Sequence, residues 1–259
     1  MHMLRIILGN NINRFEGQVV FISGGANGIG FAAAKGFLSE NAKVIICSRT
    51  KKNVENAVER LRKVGKGIYG EIGDLSCNQV VVEMFERVKD KLGGIDILVN
   101  SAGISKPVKV EDISIDEWRY IIDNNLTNSF LTCKHVLKYM KEKKYGKIIN
   151  VSSIAGRFRS KLAGVHYSCA KSAIITLTRQ LAAEYGRYGI NVNAICPGQT
   201  KTEMLEPFLV GNAENVIKDS IPLGYIASAE QQADVILFLA SDQSNYMTGA
   251  IVDVNGGQL

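Results

Sequence analysis

The chain has 259 residues, 46% of them hydrophobic and 22% charged, with a formal net charge of +6. This composition is ordinary for a globular protein that buries a core, and it excludes fibrous and disordered classes. The basic residues are spread along the chain rather than gathered in long runs, so no nucleic-acid partner is expected. Because no apolar run approaches the ~18–20 residues that cross a bilayer, no membrane partner is expected either.

Cysteines are few and scattered, without the close spacing of zinc or redox motifs. There are five of them: Cys47, Cys77, Cys133, Cys169 and Cys196. An odd, dispersed set argues against a disulfide framework. We therefore expect reduced thiols in a cytoplasmic protein, and no metal site.

Short aliphatic runs alternate with amphipathic segments along the chain. The aliphatic runs lack polar alternation, which is typical of parallel strands covered by helices on both faces. Strands are expected at residues 19–22, 44–47, 68–72, 95–99, 147–151, 190–195 and 250–254. Helices are expected from the first glycine-rich turn to residue 38, at 51–63, at 79–91, after 114, from 167 to 185 and at 229–239. The pattern predicts an α/β fold, a single doubly wound (Rossmann-type) domain with a seven-stranded parallel sheet.

Two stretches fall outside this alternation. Residues 1–16 are interpreted as an N-terminal extension, which leaves 17–259 as the single domain. Prolines and glycines interrupt residues 203–228, so no regular element is predicted there.

The segment 114–117, Ser-Ile-Asp-Glu, is a capping box that predicts the start of a long helix. Apolar residues then recur every three or four positions, which indicates one buried face. That stripe consists of Trp118, Ile122, Leu126, Phe130, Cys133, Leu137 and Met140.

A glycine-rich turn directly follows the first predicted strand and opens the first predicted helix. In this position glycines let backbone amides approach a pyrophosphate, which the helix N-terminus stabilises. The candidate cofactor contacts of the turn are Gly24, Asn27, Gly28, Ile29 and Gly30. At the end of the second strand, an NAD-binding unit usually carries an acid for the ribose hydroxyls. Here Ser48 and Arg49 occupy that place, which favours the 2′-phosphate of NADP(H), with NAD(H) as the alternative cofactor.

A hydroxyl, a phenol and an amine follow one another at Ser153, Tyr167 and Lys171. If Tyr167 lies on a helix, Lys171 lies one turn further along the same face. A nearby cation favours the phenolate, so we expect the pKa of Tyr167 to lie below its ordinary value and within reach of acid–base work. His166 is adjacent, but neighbouring helix positions diverge by about 100°, so no proton-transfer role is expected for it.

Together these ordered motifs resemble the short-chain dehydrogenase/reductase family over residues 15–259. The glycine turn, the Asn-Ser-Ala-Gly segment at 100–103 and the Ser153, Tyr167 and Lys171 set carry the resemblance. It implies a catalytic role for Asn125 beside those three. It further implies cofactor contacts from Asp74, Leu75, Asn100, Ala102, Gly103, Tyr167, Lys171, Pro197, Gly198, Thr200 and Thr202. Ser101 and Asn27 depart from the family pattern, as does the segment 224–228.

The resemblance implies an NAD(P)-dependent oxidoreductase that interconverts a ketone and a secondary alcohol, with Tyr167 as general acid or base. The substrate is then a small carbonyl or alcohol compound. A 3-oxoacyl thioester, a sugar, a sugar acid and a polyol all remain open, as does a catalytically silent dinucleotide sensor. Three cations, Arg157, Arg159 and Lys161, suggest an anion clamp for an acidic substrate.

A homotetramer of 222 symmetry is implied by the same resemblance. The two long helices, after residue 114 and through Tyr167, have more apolar positions than one sheet face covers. We expect four of these to lie between subunits, namely Leu137, Met140, Ile175 and Leu181.

Overall fold

The computed structural model describes residues 13–160 and 162–258. Seven parallel strands form one sheet in the order β3-β2-β1-β4-β5-β6-β7. They are β1 Val19–Ser23, β2 Lys43–Ser48, β3 Ile68–Ile72, β4 Ile97–Asn100, β5 Gly146–Val151, β6 Ile190–Pro197 and β7 Ile251–Val254. The strand order reverses between β1 and β4, which opens a crevice at the carboxyl ends of these strands. The predicted doubly wound α/β fold is confirmed.

Helices cover both faces of the sheet. The principal ones are α1 Gly28–Ser39, α2 Lys51–Arg62, α3 Asn78–Leu92, α4 Ile115–Ile122, α5 Asn128–Lys143, α6 Val165–Tyr185, α7 Ala213–Asp219 and α8 Ala229–Ala240. Alternate residues of β1 belong to different clusters: Val20 and Ile22 pack with α1, α2 and α8, whereas Val19 and Phe21 pack with α3 and α5. The central strands β1 and β4 are buried at every residue, which matches their lack of polar alternation, whereas the edge strands β3 and β7 are partly exposed.

The long helix expected after residue 114 is interrupted. A π-helical turn at Asp123–Thr127 separates α4 from α5. Each residue added to a turn rotates the following face by about 100°, so one stripe cannot continue across the break. Leu137 and Met140 are buried as predicted, but Trp118 is 37% exposed and Phe130 is 46% exposed. The predicted stripe is wrong at those two positions.

The folded region begins earlier than residue 17. Phe15 is fully buried, and its ring meets that of Phe37 edge-on at 4.7 Å. Arg14 forms an ion pair with Glu40 at the end of α1. Arg14 and Phe15 therefore pack onto the domain, while residues 1–12 of the predicted extension lie outside the described residues.

All five cysteines are free thiols, and Cys47, Cys133 and Cys196 are buried. In the part of the chain that the structure describes, every helix is too short or too polar to cross a membrane.

Candidate active site

The crevice at the carboxyl ends of the strands contains a cavity of 590 Å³. Most of the predicted site residues lie in its wall: Gly24, Asn27, Gly28, Ile29, Ser48, Arg49, Ala102, Gly103, Ser153, Tyr167, Lys171, Pro197, Gly198, Thr200 and Thr202. Gly30, Asp74, Leu75, Asn100 and Asn125 do not lie in that wall. Ligands bind at this position in open α/β sheets, because loops from neighbouring strands converge there.

The glycine turn lies close against the loop that follows β4. Gly24 has a φ of +68°, and a Cβ there would lie 2.7 Å from Ala102 Cα. Gly30 is outside the cavity wall because it contacts the turn itself, where an added Cβ would lie 2.4 Å from Gly24 O. The first turn of α1 contains no acidic side chain, which leaves its N–H groups without a carboxylate from the helix itself. The turn and the helix start thus fit the pyrophosphate of a dinucleotide.

Ser153, Tyr167 and Lys171 meet where β5 ends and α6 begins. Tyr167 and Lys171 are 8% and 4% exposed, and the lysine Nζ lies 5.6 Å from the centre of the phenol ring. The ammonium donates a hydrogen bond to Val151 O at 2.9 Å. Ser153 Oγ accepts a hydrogen bond from Ala155 N at 3.1 Å, which fixes the serine at the strand end.

Burial moves the pKa values of this pair in opposite directions. It raises the pKa of Tyr167 to about 12, and a hydrogen bond from Ser153 opposes only part of that change. It lowers the pKa of Lys171 to about 8. In the protein without cofactor, desolvation therefore outweighs the expected lowering of the phenol pKa by Lys171. The phenol stays protonated at neutral pH and can donate its proton.

Asn125 lies in the π-helical turn, a feature that often marks functional sites. Its Nδ2 donates to Ile104 O at 2.9 Å and to Ile121 O at 2.8 Å, and its Oδ1 accepts from Ile104 N at 3.3 Å. A Cβ on Gly103 would lie 2.6 Å from Asn125 Oδ1 and 3.2 Å from Lys171 Nζ. Asn125 therefore holds the loop after β4 beside the lysine, one layer behind the cavity wall.

The side chain of Asn100 is buried beneath the cavity wall. Its Nδ2 donates to Asn150 Oδ1 at 2.9 Å, and its Oδ1 accepts from Thr132 Oγ1 at 2.8 Å. Asn150 Nδ2 in turn donates to Thr178 Oγ1 at 2.9 Å. This buried network ties β4 and β5 to α5 and α6 beneath the site. Both polar atoms of the Asn100 carboxamide are thus engaged in hydrogen bonds within the core.

At one end of the cavity the wall is polar and exposed, and it consists of Ser48, Arg49, Thr50 and Asn53. Arg49 lies 3.5 Å from the hydroxyl of Tyr120. Asp74 and Leu75 lie outside this wall. The carboxylate of Asp74 instead accepts hydrogen bonds from Ser76 N and Ser76 Oγ, at 2.9 and 2.7 Å.

The opposite end is apolar, and sequence reasoning missed it. Its lining residues are Ile104, Ile154, Leu162, Ala163, Met204, Leu205 and Phe208. Leu162 and Phe208 also pack on a small core of Leu205, Ile221 and Ile226. These residues come from irregular loops without helical or strand periodicity, so the sequence pattern gave no signal for them.

The anion clamp expected beside this end is not formed by Arg157. Its guanidinium pairs with Asp253 of β7 at 3.0 Å. Arg157 and the exposed Arg159 lie outside the cavity wall, and Lys161 lies outside the described residues. The structure therefore gives no support to an acidic substrate.

The loop after β6 closes the third side of the cavity. Thr202 Cγ2 would lie 3.1 Å from a Cβ on Gly28, so this loop packs on the glycine turn. Asn27 Nδ2 donates to Glu203 Oε2 at 2.8 Å, a bridge between the turn and the loop. In residues 13–160 and 162–258, no group of three or more His, Cys, Asp or Glu side chains is placed to hold a metal ion.

Known proteins resemble the chain over nearly its whole length. A family model described as enoyl-(acyl carrier protein) reductase matches residues 24–258. A 3-oxoacyl-(acyl-carrier-protein) reductase of Aquifex aeolicus is 34% identical over 245 residues, 94% of this chain and 98% of that protein. A 3α-hydroxysteroid dehydrogenase of Mediterraneibacter gnavus is 36% identical over 246 residues, 93% of this chain and 96% of that protein.

A solved structure gives the same result. The 3-oxoacyl-(acyl-carrier protein) reductase of Brucella melitensis with bound NAD superposes with a TM-score of 0.84 and 35% identity, covering 96% of this chain and 95% of that one. The chain therefore belongs to the short-chain dehydrogenase/reductase family and is an NAD(P)-dependent oxidoreductase.

Proposed function

We propose that Tyr167 is the general acid when the enzyme reduces a ketone, and the general base in the reverse direction. The observation that carries this proposal is the burial of the phenol beside Ser153 and Lys171 in the cavity wall. Its pKa of about 12 keeps the proton on the oxygen until a carbonyl accepts it. The glycine turn and the N-terminus of α1 fit a dinucleotide, and the reduced nicotinamide supplies the hydride when bound.

The neighbouring side chains each have a role in this proton transfer. Ser153 donates a hydrogen bond to the substrate oxygen and stabilises the negative charge that develops there. Lys171, with its pKa lowered to about 8, returns a proton to the phenolate near neutral pH. Asn125 holds the loop at Ile104 and thereby keeps Gly103 beside the lysine.

The substrate we infer is a ketone with an apolar body, and a 3-oxoacyl thioester is the first candidate. The apolar end of the cavity, with Leu162, Met204 and Phe208, supports this choice. A sterol-like ketone is the second candidate, because a rigid apolar ring system suits the same wall. A sugar, sugar acid or polyol would place its hydroxyl groups against those apolar side chains without hydrogen-bond partners. The free energy of removing these groups from water would weaken binding.

We infer that NADP(H) binds better than NAD(H). The polar end of the cavity offers the hydroxyls of Ser48 and Thr50 and the guanidinium of Arg49 to a 2′-phosphate. The helix α2 begins there with Lys51 and Lys52 and carries no acid in its first turn. The NAD bound to the Brucella melitensis protein keeps NAD(H) as the alternative cofactor.

We also infer a homotetramer, but on residues other than those predicted. Leu137, Met140 and Ile175 are buried within the chain, so they cannot form an interface. The exposed large apolar side chains of the same helices are Ile115, Trp118, Tyr120, Phe130 and Val165, at 65%, 37%, 50%, 46% and 42%. Light scattering at micromolar concentration should give about four times the chain mass of 28.3 kDa. The free thiols further support a cytoplasmic location.

Tyr167→Phe tests the proposed chemistry directly. We expect the rate of ketone reduction to fall by about 10²–10⁴-fold, because the proton donor is lost while the ring remains. Binding of the reduced cofactor, followed by its fluorescence, should stay within about twofold of the parent protein. A parent protein that binds cofactor but reduces no ketone in a broad panel would instead be a dinucleotide sensor. A Phe variant with half the parent activity would contradict the role of Tyr167.

A further inference from the structure

His166 is completely buried one position before Tyr167, and both of its ring nitrogens have partners. Nδ1 accepts a hydrogen bond from the backbone N–H of Tyr167 at 2.9 Å. Because Nδ1 accepts, the proton of the neutral ring lies on Nε2. Nε2 lies 3.4 Å from Glu117 Oε1 and donates to it. The ring therefore connects the first turn of α6 to α4.

Glu117 continues this connection to the loop that follows β4. Its Oε2 accepts a hydrogen bond from Lys106 Nζ at 2.6 Å, which holds the pKa of the carboxyl below its ordinary value. The carboxylate is thus diverted from the capping box that the sequence predicted. Ser114 Oγ accepts from Glu117 N at 3.1 Å, but the glutamate side chain is turned toward Lys106 and His166.

Backbone packing reinforces the same contact. A Cβ on Gly164 would lie 2.6 Å from His166 Cε1 and 2.7 Å from Lys106 O. The imidazole is therefore fitted between the start of α6 and the loop 104–106. At its other end this loop is held by Asn125, which bonds both backbone groups of Ile104. Two buried polar side chains thus attach one short loop to the catalytic elements.

We propose that His166 is a positioning residue for Tyr167. The neutral ring fixes the first turn of α6 against the loop 104–106, and so keeps the phenol aligned with Ser153 and with the substrate carbonyl. The effect passes through the backbone N–H of Tyr167. The inference rests on the proposed role of Tyr167 as general acid. It differs from simple packing because it requires an acceptor at Nδ1.

Two conservative variants test the two ring nitrogens one at a time. In His166→Asn, the side-chain oxygen can take the place of Nδ1 and accept from Tyr167 N–H. In His166→Gln, the amide nitrogen can take the place of Nε2 and donate to Glu117. His166→Ala removes both groups. Ile174→Val, a fully buried site on the same helix, is the matched control for lost packing.

We expect kcat to fall by about 10–100-fold in His166→Ala and His166→Gln, because small misplacements of a reacting group are costly. His166→Asn should keep kcat within about threefold, because it retains the acceptor. KM and the Kd of the reduced cofactor should change little in all three. Ile174→Val should lower Tm and leave kcat unchanged. The proposal is overturned if His166→Asn and His166→Gln lose kcat equally and in proportion to their loss of Tm. It is also overturned if His166→Ala keeps the kcat of the parent.

The tautomer gives a readout that does not depend on turnover. In protein labelled with 15N-histidine, the signals of His166 are identified by their loss in His166→Asn, since the chain has three histidines. They should report a neutral ring protonated at Nε2 at pH 8. A ring protonated at Nδ1, or at both nitrogens, would overturn the proposal. Tyr167→Phe is assayed in parallel: if it stays active, the proposed function fails, whatever the His166 variants show.

Discussion

The two ends of the cleft hold their functional side chains in different ways. At the catalytic end, Tyr167 and Lys171 are buried, and the lysine is held by a backbone carbonyl. At the polar end, Arg49 is exposed, and its guanidinium lies 3.5 Å from the hydroxyl of Tyr120 and 5.8 Å from the centre of that ring. Burial changes the pKa values of both Tyr167 and Lys171.

This difference indicates how each end responds to substitution. At the catalytic end, positions are fixed by neighbours within about 3 Å, so an added or lost atom must disturb the reaction. At the polar end, solvent screens charge and the exposed side chains can change conformation, so a substitution should change cofactor affinity only moderately.

Lys171→Met should lower kcat by at least about 10²-fold, because a positioned charge is lost from a buried site. The ring of Tyr167 and its contact with Ser153 remain in this variant. The fall in kcat therefore reports the missing ammonium charge and the missing proton donor to the phenolate. Steady-state kinetics with a ketone substrate gives the measurement. Lys66→Met, at an exposed position, is the control and should match the parent. Equal effects of the two substitutions would remove the contrast between buried and exposed charge.

Gly103→Ala should lower kcat by about 10²-fold, since the new Cβ would displace Asn125 or Lys171. The added atom would lie 2.6 Å from Asn125 Oδ1 and 3.2 Å from Lys171 Nζ. Gly186→Ala is the matched control, because the nearest atom to its Cβ is 4.0 Å away. An alanine at 103 that leaves kcat unchanged would show that the catalytic end tolerates displacement.

The buried lysine should also make stability depend on pH. Its folded pKa is about 8 and its ordinary value is 10.5, so between these values the unfolded chain binds more protons. The free energy of unfolding of the parent, relative to Lys171→Met, should therefore rise by about 2 kcal/mol from pH 7.5 to pH 9.5. Urea denaturation of both proteins measures this difference. If the difference in free energy of unfolding between the two proteins is the same at pH 7.5 and pH 9.5, Lys171 is well solvated in the folded protein.

Arg49→Ala should reduce the preference for NADP(H) over NAD(H) by about tenfold, the value of one charge-assisted hydrogen bond. The ratio of kcat/KM for the two cofactors gives the measurement. Arg62→Ala, at the exposed far end of α2, is the control for a general loss of positive charge. Equal use of both cofactors by the parent, or a preference that survives the substitution, would contradict the proposed reading of Ser48 and Arg49.

The sequence predicted most of the framework because its signals are local. Strand and helix positions follow from the period of apolar residues, and the glycine turn from its place after β1. The spacing of Tyr167 and Lys171 fixes them one turn apart on any helix. These properties depend on residues close in the chain, so they needed no knowledge of the rest of the fold.

Other properties required contacts between distant segments. Arg157 reads as a free cation in the sequence, but it pairs with Asp253, almost a hundred positions away. The carboxamide of Asn100 is buried because α5 and β5 supply its hydrogen-bond partners, which the sequence around it does not reveal. The apolar end of the cavity likewise joins loops that share no periodicity.

The sequence alone predicted the α/β class, the glycine turn after β1 and the grouping of Ser153, Tyr167 and Lys171. The tertiary structure decided the direction of the pKa shift of Tyr167, the break in the helix at Asp123–Thr127 and the partners of His166. The physical reason is that a sequence pattern records which residues can be buried. The cost of removing a charge or a polar group from water depends on which distant residues surround it after folding.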